Sequence, residues 1–580
     1  MKIDYKRMKA ILISIMIVMI LFPCHLDAQH DYPEDYFRSP VDFRILLSGT
    51  FGELRAGHFH SGMDIKTGGV SGKNIYAVAD GYVSRIKVSA TGFGKTLYVT
   101  HPNGYVSVYA HLSRFNERIG PYVKQKHYEH ESFELNLFPE KGSIPVKKGK
   151  LIAYSGNTGG SNGPHLHFEM RREGTQTPVN PLLFGYKVKD YIRPEIHWLK
   201  VYPSRPGAYI DGHANAKVFQ VDGWGEQHRV KDHDTISISG PFSLAINAYD
   251  KLNDANNNNG VYSVKLYADE KLFYSHELEK FDFIEARYIN SFIDYEEYKE
   301  NKRRYQRTEI DPNNKLSIYG DVMNEGILYF DDADIHHLEY VITDFEGNVS
   351  RLPIVIRSVH FTDTAGSRPP EGAVFFSILE ENEFTAENFE LSLPGSCLYR
   401  DMWFEYDSAS MPEGSFSRIH RIHNDRTPVH KYFNVEVVPD TIPIQTDKLI
   451  LARITDDGDY ISYGGKWEDG MLKASIRSFG DYMILIDTIP PEITSVNISS
   501  GQIKPDRKTV KLKIKDELSG IRRFRASLNG SWVLMDYDAK NALLTYTIDE
   551  RLKKGNNHFV LEVTDQRDNK TVFEKNLVRD

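Results

Sequence analysis

Cysteine is almost missing from this chain. Two residues, Cys24 and Cys397, stand in 580, so no disulfide framework holds the fold and no Cys-rich zinc site can form. Cys397 lies far from any reactive pattern and reads as a small buried apolar residue rather than a nucleophile. An excess of one charge is also lacking: 71 Lys+Arg against 80 Asp+Glu leave a formal net charge of -9. No broad field attracts a polyanion, and no nucleic-acid partner is expected. Nor is there an apolar run long enough to span a membrane comfortably. Ala10 to Phe22 falls short of one, follows Lys2, Lys6, Arg7 and Lys9, and precedes a polar stretch. That layout predicts a secretory signal over residues 1–28, with Leu26 and Ala28 at the cleavage positions and a mature chain from Gln29 that keeps no transmembrane segment. The protein is therefore expected in the periplasm, at the cell surface or secreted. Cys24 offers an alternative, an acylated lipoprotein anchor, which Pro23 fits poorly.

What is abundant is Tyr (34) and Phe (31), residues that favour strands, and the length calls for roughly three to five packed units. The fold class expected is mainly all-β. Residues 45–170 are short alternating runs broken by Gly and Asn turns. Lys95 to His101 and Tyr105 to Leu112 flank Pro102-Asn103-Gly104, a strong hairpin signal because Asn and Gly both tolerate positive φ. Strict alternation puts Tyr105, Ser107, Tyr109 and His111 on one polar face. Residues 113–145 interrupt this pattern and read as an inserted long loop or lid, with His127, Glu129, His130 and Glu131 as solvated loop residues rather than a metal site.

Beyond about Asp190 the chain reads as successive β-sandwich modules. His337 to Asp344 matches His558 to Asp565, each followed by a turn with Asn348 or Asn569, and Asp250 and Asp516 each follow an alternating strand. The expected division is 29–190 for the first domain, 191–359 and 489–580 for two immunoglobulin-like sandwiches, and 360–488 for a further β-rich module ending before Pro490-Pro491. The Asn-rich run Asn253 to Asn259 reads as a loop, and no calcium-loop pattern is evident. Ile284, Tyr288, Phe292 and Tyr295 recur at helical spacing and predict one packed helix.

Chemistry concentrates in three short segments. In His165-Leu166-His167-Phe168-Glu169 the strand period puts His165, His167 and Glu169 on one face and Leu166 and Phe168 on the core face. With 22 His in 580 residues, chance alone supplies roughly one His-x-His pair, and His58-Phe59-His60 is a second, so the pair by itself decides nothing. The Gly-rich run Ser155 to Pro164 delivers it from a turn that lets substrate backbone approach. Upstream, His60-Ser61-Gly62-Met63-Asp64 offers a nitrogen and an oxygen donor, and two His nitrogens with one carboxylate suit Zn²⁺ and leave a fourth position for water. The third segment is Tyr109-Ala110-His111-Leu112.

These segments, in this order, resemble the LytM and lysostaphin group of zinc metallopeptidases acting on peptidoglycan, peptidase family M23. Gly72 to Gly81 and Val146 to Gly156 extend the resemblance, which covers about residues 45–185. It implies a LytM-like β-sheet peptidase domain, one Zn²⁺ per chain held by His60, Asp64 and His167, and catalytic roles for His111 and His165, either of which can be the general base. Tyr109 is an expected additional donor. The implied partners are the stem peptides and cross-bridges of peptidoglycan, with a cell-envelope protein as a further candidate for the C-terminal modules. Asn162 stands where the family often has Thr, and the insertion 113–145 is longer than in compact members. The second reading is a catalytically silent relative that binds cell wall or activates another wall hydrolase.

Overall fold

The computed structural model describes residues 32–361 and 369–579. The expected signal segment and Cys24 lie outside the described residues. The fold is mainly β, an N-terminal β-sheet domain followed by several β-sheet modules. Among the described residues no helix is long and apolar enough to cross a membrane.

Seven strands of the N-terminal nine-stranded sheet and one helix organise the first domain: β1 (Leu47–Gly49), β2 (Met63–Lys66), β3 (Gly81–Val88), β4 (Lys95–Thr100), β5 (Tyr105–Leu112), α1 (Ile119–His130), β6 (Leu135–Leu137) and β7 (His165–Arg172). Their order across the sheet is β1-β2-β7-β5-β4-β3-β6. The neighbours β2 and β5 on either side of β7 are far from it in sequence, so segments distant along the chain meet at the sheet centre. Leu166, Phe168 and Met170 of β7 are buried in a core with Met63, Ile65, Val83, Ile86, Leu97 and Tyr109. The apolar character of this face fixes the register, since a slip of one residue would exchange these side chains with the polar ones on the other face.

The stretch 113–145 is not a lid. It contains α1, whose Ile119, Val123 and His127 recur every four residues and are buried. The Asn116 side-chain oxygen accepts hydrogen bonds from the backbone N–H groups of Arg118 and Ile119 and starts the helix, and Pro121 sits in the first turn, where its missing N–H costs nothing. His127 is a core histidine with Nδ1 bonded to the Ser132 carbonyl (2.8 Å). The opposite side of α1 carries the last module: Tyr128 meets Trp532 edge-on (ring centroids 5.0 Å) and lies under Arg551 (3.7 Å), with Lys124–Asp549 and Glu131–Arg525 ion pairs alongside.

Residues 195–359 form a twelve-stranded sheet around one core that includes Leu199, Phe219, Leu244, Tyr274 and Tyr340. Residues 382–486 contribute two five-stranded sheets that share a core with Phe389, Val435, Leu451 and Tyr482. A four-stranded and a five-stranded sheet enclose the last core, with Leu512, Tyr546, Phe559 and Leu561. The helix expected from Ile284 to Tyr295 is broken in two, Ile289–Phe292 and Tyr295–Asn301, at the extended residue Ile293, and Ile284 is exposed. Its buried residues Ile289 and Phe292 close a core against Phe51 and Phe59 of the first domain.

The chain closes on itself. The first domain meets the second unit through that aromatic core, Arg400–Asp311 and Arg287 to the Val429 carbonyl join the second to the third, Arg567 to the Gly465 carbonyl joins the third to the last, and the last returns to α1. Tyr128→Ala removes one aromatic pair and the cation–π contacts of Arg551 and Lys124, together worth about 1–3 kcal/mol. Limited proteolysis should therefore cut the variant faster around Ile489-Pro490-Pro491 than the parent; equal cutting rates would show that the last module is held elsewhere.

Candidate metal centre

The antiparallel ladder between β2 and β7 pairs Asp64 with His167, and the ladder between β5 and β7 pairs Ala110 with His167. His60 arrives from a two-strand hairpin, Leu54–Arg55 with His58–Phe59, whose Phe59 is anchored in the aromatic core between the first two units. Between His60 and Asp64 the chain passes against β7. A Cβ on Gly62 would sit 2.3 Å from the Phe168 carbonyl oxygen, so this glycine is required for close approach.

Three atoms converge: His60 Nε2 and Asp64 Oδ1 at 3.1 Å, His60 Nε2 and His167 Nδ1 at 3.0 Å, and His167 Nδ1 and Asp64 Oδ1 at 2.9 Å. All three residues are buried. The outer nitrogen of each ring is already engaged. His60 Nδ1 donates to the Thr50 carbonyl (2.7 Å) and His167 Nε2 to Glu169 (3.0 Å), so each ring turns its remaining nitrogen toward the shared point. Glu169 is itself buried and held by Arg171 (Nε to Oε2, 2.5 Å) and by the Ser61 hydroxyl. The second Asp64 oxygen accepts from Arg55 (2.7 Å).

The electrostatics favour positive charge at this point. Burial opposes charge on His167, but hydrogen bonds to Asp64 and Glu169 outweigh it and raise the imidazole above its ordinary range. Burial likewise opposes charge on Asp64, yet His60, His165 and His167 hold its carboxyl well below the usual carboxylate range. Two imidazole nitrogens and one carboxylate oxygen fit Zn²⁺: a tetrahedral ion with bonds of about 2.0–2.1 Å has ligand–ligand edges of about 3.3 Å, close to the separations found.

Two further imidazoles stand beside this group. His165 Nε2 lies 3.4 Å from Asp64 Oδ1 and its Nδ1 donates to the Gly163 carbonyl (2.8 Å). His111 Nδ1 donates to the Thr158 carbonyl (2.8 Å), and its ring centroid is 4.8 Å from that of His165. Both therefore keep Nε2 as an acceptor. Burial, reinforced by the neighbouring His167 and His165, pushes His111 down to about 3, so it is uncharged at neutral pH. A groove of about 580 Å³ opens here, lined by Asp64, His111, Ser161, Asn162 and His165 with Arg55 at its side.

Tyr109 is not part of this group. Strict alternation would put Tyr109 and His111 on the same face, but the β4–β5 ladder is bulged between Lys95 and Leu97 and His111 has φ 55°. This left-handed residue, costing roughly 1–2 kcal/mol, swings His111 to the His167 face. Tyr109 stays in the core beside Phe168 (ring centroids 5.4 Å), its hydroxyl accepting from the Val78 N–H and bonded to Ser107. Glu169, Arg55 and Thr50 complete the surroundings of the ligands. Of these only Glu169 was legible in advance, as the third residue on the His165 face. His58 is exposed, its ring turned to the Ala56 carbonyl.

Comparison with known proteins agrees with this geometry. The profile of peptidase family M23 matches residues 58–128 and 140–181, and that of a Zu5-like domain matches residues 373–487. The chain is 35% identical over 123 residues to an uncharacterized metalloprotease of Haemophilus influenzae, 21% of this chain and 20% of that protein. It is 32% identical over 129 residues to the DD-carboxypeptidase/endopeptidase Mpg of Neisseria meningitidis, 22% of this chain and 23% of that protein. It is 31% identical over 152 residues to the murein hydrolase activator NlpD of Salmonella typhimurium, 26% of this chain and 32% of that protein. The chain thus matches between 20% and 32% of the length of these relatives. Its N-terminal domain is an M23 domain of the LytM/lysostaphin type.

Glu169→Gln keeps the shape of the carboxylate and removes its charge, and should weaken Zn²⁺ binding about 10–100-fold. His167→Ala should lose binding altogether. Competition against a chromophoric chelator measures both, and an unaltered affinity in Glu169→Gln would remove this carboxylate from the account of the site.

Proposed function

Starting from an M23 domain with its donor set assembled, we propose that the chain is an exported zinc-dependent metalloendopeptidase that hydrolyses peptide cross-links of bacterial peptidoglycan. On this reading the M23 domain occupies 29–190 and the units 191–359, 360–488 and 489–580 support it or dock an envelope partner, the first and last as immunoglobulin-like sandwiches. The observation that carries the proposal is the pairing of two roles in one groove: three buried donors that converge on a point, and two more imidazoles with an acceptor nitrogen beside it.

Bound Zn²⁺ supplies Lewis-acid polarisation of a peptide carbonyl and makes a water acidic near neutral pH. The chain's own part is proton handling. His111 and His165 each have Nδ1 fixed on a backbone carbonyl, so Nε2 of either can take the water's proton and return it to the departing amine. While it holds that proton, before the return, the ring's charge stabilises the negative charge developing on the carbonyl oxygen. The end of the Gly-rich run, from Gly160 to Pro164, forms one wall of the groove and lets an extended peptide lie close to it.

The second reading, a wall-binding or activator module, is motivated by the similarity to a protein named as a murein hydrolase activator. Against it stands the open groove. None of the residues lining it comes from 113–145, and α1 is occupied with the last module.

His111→Ala and His165→Ala should each lower kcat/KM by about 10²–10⁴ while zinc content stays at one per chain. Tyr109→Phe should stay near the parent rate, because its hydroxyl serves the core. The readout is mass spectrometry of muropeptides released from isolated sacculi. Loss of cross-linked dimers with gain of monomers is expected from the parent; no release by the zinc-loaded parent would favour the activator reading.

A further inference from the structure

A second polar cluster lies away from the groove, at the junction of the first two units. β8 (Phe242–Tyr249) runs into Asp250 and β9 (Ile335–Thr343) into Asp344, and both meet Asp190 from the connection between the units. The three carboxylates are buried, and one oxygen of each lies within 4.8 Å of the others. Glu346, exposed on the turn after β9 and outside the converging group of three, adds negative charge toward Asp190. Among the described residues no Lys, Arg or His side chain is ion-paired with any of the four. Asp190 accepts from the Ile192 N–H (3.0 Å), and Asp344 accepts from the N–H (2.9 Å) and side-chain amide (2.7 Å) of Asn348. Asp250 is different. It is 3% exposed, and its Oδ1 has no hydrogen-bond partner. It lines a cavity of about 20 Å³ together with Asp190, Glu346, Thr50 and Phe51, room for one small ion or water.

The last unit repeats the arrangement with one telling change. β10 (Gly480–Ile486), β11 (Thr509–Lys515) and β12 (Gly555–Asp565) deliver Asp487, Asp516 and Asp565 to a second cluster. Asp565 accepts from Asn569 at the same two distances, 2.9 and 2.7 Å. The position two residues after the strand aspartate, Glu346 in the first copy, is Arg567 in the second. Its guanidinium interacts electrostatically with Asp487 and Asp565. Backbone N–H groups of Leu518, Gly520 and Ser519 satisfy Asp516 and Asp487 as well. A guanidinium stands near the second cluster, bonded to the Gly465 carbonyl and, among the described residues, in no ion pair with the three carboxylates; the first cluster has an anion in that place.

Unpaired carboxylates cannot stay charged in a buried cluster without compensation. Burial and the neighbouring Asp190 and Asp344 push Asp250 up to about 8, so the cluster must take up either protons or a metal ion. We propose that Asp190, Asp250, Asp344 and Glu346 bind a hard divalent cation, Ca²⁺ by the all-oxygen character of the donors, and that the Asp487–Asp516–Asp565 cluster does not, because Arg567 replaces the ion. The site ties the inter-unit connection to two strands of the second unit. It also adjoins the metal centre's support, since Thr50 accepts from the Gly260 N–H through its hydroxyl (3.2 Å) and from His60 through its carbonyl.

The test uses the full mature chain, loaded with zinc and dialysed free of calcium, titrated calorimetrically with CaCl₂ and melted with and without it. One equivalent of Ca²⁺ and a rise in Tm of several degrees are expected, both lost in Asp250→Asn and both kept in Asp516→Asn. Glu346→Arg copies the second cluster into the first, and should fold without calcium and no longer bind it. No uptake by the parent, or uptake unchanged in Asp250→Asn and Glu346→Arg, would overturn the proposal in favour of carboxyls that share protons. Two equivalents would overturn the exclusion of the second cluster.

Discussion

Register between β2 and β7 is the constraint on which the metal centre rests. The pairing of Asp64 with His167 places a carboxylate and an imidazole side by side, while Leu166, Phe168 and Met170 on the other face of β7 are buried in the core. Apolar burial thus does two things at once: it stabilises the sheet, and it turns His167 and Glu169 together to the opposite face. Shifting the pairing by one residue would turn the imidazole and carboxylate into the apolar core and the apolar side chains toward the donor group. The glycine at position 62 belongs to the same constraint, because only a residue without Cβ lets the ligand-bearing segment pass the Phe168 carbonyl.

The remaining donor of the group, His60, depends on a longer-range contact. Its neighbour Phe59 is buried among Phe281, Ile289 and Phe292 of the second unit, and its own Nδ1 is fixed by Thr50 at the same junction. The second unit therefore buttresses the metal centre rather than hanging from the peptidase domain as a spacer. On the far side, α1 and the edge of the Gly-rich run hold the last unit, with Lys540 bonded to the Ser161 carbonyl (2.8 Å). A chain closed in this way limits relative motion of its units and leaves the groove between these two supports open.

The donor set was named through the resemblance to the LytM and lysostaphin group, and local physics only supported it. Alternation along His165 to Glu169 and the spacing from His60 to Asp64 need no knowledge of the rest of the chain. The errors arose where one residue broke a local rule or where a partner lay far away. A left-handed His111 undid the alternation that had put Tyr109 in the groove. The helix over 119–130 was hidden because Tyr128 and its neighbours face a second unit and not solvent, which blurs the amphipathic pattern. The repeat exposed Asp250, Asp344, Asp516 and Asp565 as matching positions, but Asp190 and Asp487 come from connections outside the repeated strands, so no loop spacing announced a cluster.

The most direct measurement of the metal centre is X-ray absorption at the zinc edge on the purified zinc-loaded chain, together with the His60→Ala and His111→Ala variants. The account predicts two imidazoles and a carboxylate oxygen in the first shell of the parent, one imidazole fewer in His60→Ala, and an unaltered protein ligand set in His111→Ala. A third imidazole in the parent, lost in His111→Ala, would contradict the division between ligands and proton-handling residues.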